Sequence, residues 1–424
     1  MGRLAGALNT IFQKGRAAVA NLKYFLWLTT RKGFQPEDPV KLLGYFGTPE
    51  AAYFAEREEY DLLGLPEGKK RALEEKSLDG AEQILEDCDR LGIHILTIQD
   101  ADYPESLAQI YDPPCVLYWR GKDLSVDDRL TVGVVGTRGC TPYGEELAGK
   151  LGLELARAGA VLVSGMAEGI DAAGLKGALQ GGGTVLSVLG NGIDVIYPRS
   201  HRWLYEDVAA AGTLVSEYPP GTGPSGHHFP IRNRILSGLS MGVAVVEAGE
   251  PSGALITARL ALEQNREVFA FPGPVGAPAS LGTNRLIQRG EAKLILSAAD
   301  IFSEFAPAFP GKILHQPPLT AEEANDRLKV VPSGPAPVQK EEKEVDKEPE
   351  RAYISLTDTP EMFTDDERDI LMAIERRSLT ADDISEAAQI PARRVLSALT
   401  MLQIRGLVEE RPGKRFYAAV RLKP

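Results

Sequence analysis

The sequence predicts an α/β protein: a doubly wound, mostly parallel sheet preceded by a small helical domain and followed by a winged helix. Three observations carry this prediction. From residue 130 the chain repeats an apolar strand, a glycine-bearing turn and an amphipathic helix; residues 20–95 show helical patterns with no strand before 93–98; and residues 363–424 hold three helices and a hairpin. Continuous apolar strands alternating with helices mean a sheet covered on both faces, and right-handed crossovers make it doubly wound.

In chain order, helical patterns at 23–30, 39–46, 49–58, 68–75 and 80–91 make the first domain, with a Leu65-Pro66-Glu67-Gly68 turn before the fourth. The passage 103–121 (YPESLAQIYDPPCVLYWRG) reads as extended chain with a short strand at 116–119. The second domain, 96–303 with its core at 129–300, carries strands at 131–135, 161–163, 184–189, 213–215, 243–246, 268–271 and 293–296. Between the first two, helix 145–157 sets Leu147, Leu151 and Leu155 on one stripe for packing against the sheet. Residues 304–362 lose periodicity, and PSGPAPVQKEEKEVDKEPER cannot bury enough apolar surface to fold alone, so the segment is expected to be a flexible tether. Beyond it lie a helix at 365–375, a second capped by Thr380 with Asp383 at the capping-box position, and a third at 391–405. A hairpin at 407–410 and 416–420 around Pro412-Gly413-Lys414 completes a winged helix-turn-helix.

At 424 residues the chain exceeds one ordinary core, and two or three domains are expected. Its net charge of -12 argues, taken whole, against a nucleic-acid binder. The distribution changes that argument. Residues 1–128 carry -7 and 301–362 carry -5, whereas 129–300 carry -1 and 363–424 carry +1; from Ala387 onward eight basic residues face two acidic ones. Screening confines exposed charge to roughly 10 Å, so local patches remain able to meet a polyanion. Lys14, Arg16 and Lys23 interrupt the first apolar stretch, so neither a signal peptide nor membrane insertion is expected and the cytoplasm is the default. Cys88, Cys115 and Cys140 are too scattered for a disulfide framework or a zinc site.

The chemistry concentrates at strand ends. Gly133-x-x-Gly136-x-x-Gly139 is not a dinucleotide fingerprint and no P-loop is present, so no nucleotide cofactor is expected. Four turns deliver small residues and N–H groups: Gly136-Thr137-Arg138, Ser164-Gly165-Met166-Ala167, Gly190-Asn191-Gly192 and Ser252-Gly253. Parallel strands place these ends on one rim, which favours a phosphate-lined crevice. Ser252, Gly253 and Ala254 open a helix, where free N–H groups attract an anion. Arg138, directly after Gly-Thr, is expected to point into the crevice, with a salt bridge as its competing role. Arg232 and Arg234 flank Asn233 and diverge by roughly 200° on a helix, so at most one faces the crevice. Phe229, beside these arginines, suits base stacking on a single strand, with ordinary core as the alternative.

Catalytic constellations are poor. Asp171, Glu217 and Glu247 lie near strand ends without a histidine in a matching turn, Ser164 and Ser252 lack a base, and the five histidines show no metal-ligand spacing. No catalytic residue and no metal are expected. Two other readings stay open: a nucleotide-phosphate hydrolase using the same crevice with Glu247 as acid/base, and a duplex-DNA-binding regulator acting through the winged helix. For the latter, Arg393, Arg394 and Arg405 are the candidate duplex contacts and Val395, Leu399 and Leu402 the buried stripe; protein docking is the other use of such a module.

Taken as a set, VGVVGTR (132–138), SGMAEGIDAAGLKGAL (164–179), VLGNGIDVIYP (188–198), SEYP (216–219), FPIRNRILSGLS (229–240), VVEAGEPSGALITA (245–258), FAFPGP (269–274) and GTNRLI (282–287) resemble the DNA-processing protein A (DprA/Smf) family of bacterial natural-transformation factors. The match runs from about Leu28 to the C-terminus. The resemblance implies a Rossmann-like core, an N-terminal SAM-like helical domain and a winged-helix tail. It further implies a homodimer that binds and protects single-stranded DNA and loads the RecA recombinase, with no catalytic activity required. Its DNA-binding positions fall on Gly136, Thr137, Arg138, Arg232, Asn233, Arg234, Ser252, Gly253 and Ala254. One departure is visible: Leu175 stands near the family's usual histidine, which puts any role of that imidazole in doubt.

Overall fold

Strand polarity divides the sheet into a parallel body and an antiparallel edge. The computed structural model describes residues 21–124, 126–307, 353–355, 363–374, 379–405, 407–411, 415–418 and 421–423. They form two compact units, one holding the described residues up to 307 and the other those from 353.

In the first unit the strands are β1 (His94–Thr97), β2 (Val116–Gly121), β3 (Thr131–Val135), β4 (Val161–Ser164), β5 (Thr184–Leu189), β6 (Thr213–Ser216), β7 (Gly242–Val245), β8 (Glu267–Ala270) and β9 (Lys293–Leu294). Their order is β1-β2-β6-β5-β4-β3-β7-β8-β9. Strands β3 to β9 are parallel, while β1 pairs antiparallel with β2 and β2 with β6. The extended passage of the sequence reading is therefore a sheet edge. The chain starts its parallel body at β3, winds outward to β6, and then returns to the other side of β3 as β7, with Val135 opposite Val245. Strand order reverses at the β3/β7 gap, and the crevice at the carboxyl ends there is where open α/β sheets bind ligands.

Helices cover both faces: α8 (Pro142–Arg157), α9 (Ile170–Gln180), α10 (Arg202–Ala211), α11 (His228–Gly238), α12 (Gly253–Glu263), α13 (Leu281–Gln288) and α14 (Ala298–Phe305). Helix α14 runs past the expected domain end at 303, because Ile301 and Phe305 are buried. Helices α8 and α9 touch through glycines. A Cβ at Gly152 would overlap the Gly174 carbonyl, and one at Gly177 the Gly149 carbonyl.

The helical region comprises α1 (residues 21–29), α2 (Glu37–Phe46), α3 (Pro49–Phe54), α4 (Arg57–Leu62), α5 (Glu67–Glu74) and α6 (Asp79–Leu91), with the short α7 (Glu105–Ala108) after β1. The helix expected over 49–58 is broken because Ala55 and Glu56 are extended and Glu56 starts α4 with a capping box. Lys76 is held inside this region: its ammonium donates to Tyr60 Oη (2.7 Å) and faces the Trp27, Tyr53 and Tyr60 rings. The packing does not break at residue 95, since Trp27, Tyr60 and Cys88 belong to the same core as Val116 and Leu130. Among the described residues, no helix is long and apolar enough to cross a membrane.

The second unit has helices Asp365–Ile374, Ala381–Ala388 and Ala392–Ile404, and a small sheet of β11 (Leu379–Thr380), β13 (Arg415–Ala418) and β12 (Val408–Arg411). Thr380 and Asp383 make the expected capping box, and Val395, Leu399 and Leu402 are buried as expected. Within the expected tether, β10 (Tyr353–Ser355) pairs parallel with β14 (Arg421–Lys423), a strand too short for periodicity to reveal. The rest of the tether from 308, the turn Pro412-Gly413-Lys414 and residues 1–20 lie outside the described residues.

The α8/α9 contact yields a paired prediction. Gly177→Ala should destabilise by about 1–3 kcal/mol, because backbone must shift to admit the methyl. Gly149→Ala, whose Cβ would meet Ala173 O at 3.9 Å, should be neutral or gain roughly 0.5–1 kcal/mol from helix propensity. Urea denaturation midpoints of the two variants check this.

Candidate nucleic-acid interface

An open cleft of about 650 Å³ lies over the β3/β7 gap, with Arg138, Phe229, Arg232, Asn233, Ser252 and Gly253 among its lining residues. The turn after β3 is stitched to the end of β7. Thr137 N–H donates to Glu247 O (2.8 Å), while the Thr141 N–H and hydroxyl donate to the Glu247 carboxylate (2.9 and 2.6 Å). Thr141 also caps α8 by accepting from Gly144 N–H. Glu247 is 2% exposed with both oxygens engaged, so it pins the turn. Gly136 must be glycine here, since a Cβ would run into Ile170 and the Glu247 carbonyl.

Arg138 projects from this turn and is exposed. Among the described residues no carboxylate pairs with it, which excludes its competing role as a salt-bridge partner. Its guanidinium lies 5.5 Å from the centre of the Phe229 ring. Arg232 approaches the same ring at 5.9 Å, but it is only 5% exposed. Arg232 Nη1 donates to Gly165 O (2.8 Å) and to Val188 O, and Nε to Asn233 Oδ1 (3.2 Å). Burial lowers the Arg232 pKa to about 10, against the raising effect of Asp171, so the cation persists at neutral pH. Asp171 Oδ2 accepts from the N–H groups of Gly165 (3.1 Å) and Ala167 (3.4 Å). Burial pushes Asp171 up to about 6, with Arg232 opposing.

The structure separates the two arginines as helical rotation requires and identifies which one faces the cleft. Arg234 lies outside the cleft lining and is 4% exposed, between Asp112 (3.0 Å) and Glu217 (2.7 Å). The DNA-contact assignment carried onto Arg234 is therefore corrected: two buried ion pairs occupy it. Phe229 is half-buried, so the pure core reading also fails. The ring rests over the third turn, where a Cβ at Gly190 would lie 2.8 Å from it. Tyr197, absent from the sequence-based site, packs on Phe229 at 5.5 Å and lines the cleft; its signal was its place in the VLGNGIDVIYP stretch, a few residues beyond the third glycine turn.

The expectation of a rim lined with free N–H groups also needs correction. The Thr137, Gly165 and Ala167 N–H groups already have partners, and Ala254 N–H bonds Ser252 Oγ (3.3 Å) as the α12 cap. Gly253 differs. It is exposed, and a Cβ there would meet nothing within 4 Å, so the protein's own packing does not demand glycine, which leaves room for a ligand. Asp171, Glu217 and Glu247 each have separate partners rather than forming one constellation. Among the described residues, no cluster of His, Cys, Asp or Glu could hold a metal ion.

In the second unit Arg394 is taken by a bidentate pair with Asp366 (2.7 and 2.8 Å), and Arg405 lies 3.6 Å from Glu367. Arg393 is exposed. Of the three duplex candidates, Arg394 and Arg405 thus meet carboxylates, and Arg393 is the one with no carboxylate partner among the described residues; Leu396 and Met401 are exposed on the same helix.

Comparison with known proteins agrees with this architecture. The family model for DNA recombination-mediator protein A matches residues 94–306, and that for the DprA winged helix domain matches 349–414. The chain is 46% identical over 213 residues to the DNA processing protein DprA of Bacillus subtilis, covering 50% of this chain and 71% of that protein. It is 34% identical over 413 residues to Protein Smf of Synechocystis, covering 94% of this chain and 99% of that protein. Among solved structures it is similar to DNA processing protein A of Streptococcus pneumoniae, with 33% identity and a TM-score of 0.60 over 66% of this chain and 97% of that one.

Asp171 gives a pH prediction. With a folded value near 6 against an ordinary 3.8, the native state keeps a proton that the unfolded chain has lost between those values. Its stabilising contribution is full below about pH 4 and is lost as pH rises through 6. Asp171→Asn should remove that fall, so the variant gains on wild type by on the order of 1–3 kcal/mol between pH 4 and 6.5. Urea melts at half-unit pH steps check it.

Proposed function

The chain belongs to the DNA recombination-mediator protein A family, and from that premise we propose that it binds single-stranded DNA in the cleft over the β3/β7 gap. One observation carries the reading: two cations approach the half-buried Phe229 ring, Arg138 at 5.5 Å and Arg232 at 5.9 Å from its centre. An aromatic face beside positive charge takes a base on the ring and a phosphate on the exposed Arg138, while the buried Arg232 holds the ring in place, without sequence preference. Across the cleft, Ser252 and Gly253 open α12 and offer its positive end to a further phosphate. Asn233 is the polar neighbour of the bound backbone, Gly136, Thr137 and Ala254 shape the walls, and Gly165 acts from below by holding Arg232.

The family supports the remaining parts of the proposal. The protein acts as a cytoplasmic homodimer in natural transformation, protecting incoming single-stranded DNA and loading the RecA recombinase onto it. It acts as a binding factor rather than an enzyme. The commitment of Glu247 to Thr141 favours binding over the hydrolase alternative, for which Glu247 was the acid/base. The 20–95 region serves as a SAM-like helical domain and 363–424 as a winged helix.

Arg138→Ala should weaken binding of a single-stranded oligonucleotide about tenfold or more at low salt. The slope of log affinity against log salt should fall by about 0.7, the value of one neutralised phosphate. Phe229→Ala should cost about 1–3 kcal/mol through lost stacking and leave that slope unchanged. Fluorescence anisotropy over a salt series measures both, and an Arg138→Ala protein with wild-type affinity and slope would sink the site.

A further inference from the structure

We propose that Arg234 is a positioning residue for single-stranded DNA binding, holding α11 in the one pose that presents Phe229 and Arg232 to the cleft without itself touching the ligand. The inference rests on the single-stranded DNA reading above and assigns a second, indirect role within it.

The geometry has three parts. Arg234 lies two residues after Arg232 on α11 and is turned roughly 200° from it, so the two guanidiniums leave opposite sides of one helix. Its Nε faces Asp112 Oδ2 at 3.0 Å, and its Nη2 donates to both oxygens of Glu217 at 2.7 and 2.9 Å. Asp112 belongs to the passage leading into β2, and Glu217 directly follows β6, so one side chain ties α11 to the passage before the antiparallel edge and to the end of a strand of the parallel body. The third tie is the Arg234 carbonyl, which accepts from Gln264 Nε2 at 3.1 Å. Gln264 is the C-cap of α12, whose other end carries Ser252 and Gly253.

Both helices that wall the cleft are thus joined at Arg234. Residues beside the network reinforce the same pose: Tyr218, next to Glu217, stacks on His228 at 4.1 Å, and His228 Nδ1 lies 3.1 Å from Gly190 O, beneath Phe229. A planar guanidinium bridges two carboxylates in fixed directions, whereas a lysine ammonium carries its donors at one rotatable point and does not hold two carboxylates in those directions. Both carboxylates are only partly exposed, at 24% and 21%, so water replaces the lost partner poorly. The sign of the local field agrees with an indirect role. The Arg234 charge is met by two carboxylates, so it adds nothing positive to the cleft, unlike Arg138.

A merely structural residue and a direct contact both predict weaker binding on removal, so the test needs more than affinity. Full-length Arg234→Met should bind a single-stranded oligonucleotide about tenfold more weakly, with its salt slope equal to wild type because no phosphate contact is lost. Arg234→Lys should be nearly as weak, since charge alone does not restore the bridge. The triple variant Asp112→Asn, Glu217→Gln, Arg234→Met removes the network without leaving a buried carboxylate unpaired, and keeps the test open if Arg234→Met does not fold. Its affinity should remain reduced with the wild-type slope. A slope lowered by about 0.7 in Arg234→Met would make Arg234 a phosphate contact, and full affinity in the triple variant would reduce its role to charge balance; either result overturns the inference. Wild-type protein that binds no oligonucleotide would remove the underlying reading itself.

Discussion

The structure turns on a guanidinium buried where the sheet reverses. An unpaired charge taken out of water is prohibitively unfavourable, so everything near Arg232 has to meet it. The carbonyl ends of β4 and β5 do so through Gly165 O and Val188 O, and Asp171 at the start of α9 balances the charge. Residue 165 has to be glycine, because a Cβ would come within 2.7 Å of Arg232 Nη2 and 2.8 Å of Asp171 Oδ2. The Gly165 and Ala167 N–H groups then orient the carboxylate. One cation thereby dictates two strand ends, a helix start and a glycine.

This arrangement divides the work of the two arginines in the cleft. Arg232 is permanent and rigid, and Asp171 cancels part of its charge, so it serves chiefly to set the place of the Phe229 ring. Arg138 is exposed and makes no ion pair among the described residues, and Asp171 acts on it only at longer range, so its charge stays open to the cleft. The overall charge of -12 does not conflict with an anionic ligand. Exposed charges beyond roughly 10 Å are screened, and the surplus acids lie in residues 1–128 and 301–362 rather than in the parallel body.

Much of this was legible because periodicity reports local packing. Strands 131–135 and 184–189 match their sequence-based bounds, and the glycine turns marked the rim on which the cleft lies. Helical rotation correctly implied that Arg232 and Arg234 face opposite ways. Which of them faces the cleft was not legible, because that depends on how α11 sits against β5 and β6, a tertiary matter. For the same reason the Thr137, Gly165 and Ala167 N–H groups read as anion ligands: their partners, Glu247 and Asp171, are set by the fold. The antiparallel edge was hidden too, since β2 pairs with β6 across an intervening run of strands. Strands β10 and β11, of three and two residues, fall below any period.

Asp171 illustrates how a perturbed group can mislead. A buried carboxyl titrating near 6 at the wall of a cleft has the profile of a general acid or base. Structural ion pairs perturb pKa values as well, and the surroundings distinguish the cases. One Asp171 oxygen already accepts two N–H groups, and its main charged neighbour is the guanidinium that the fold must neutralise. At neutral pH it is an anion beside the site proposed for phosphates, where it opposes the ligand rather than attacking it. Glu247 is still further from solvent, with both oxygens held by Thr141. The carboxylates near this cleft are therefore explained by what they hold in place, and what remains available to a ligand is an aromatic face, an exposed cation and the open start of a helix. That set of groups suits the proposed ligand, a polyanionic backbone with bases attached.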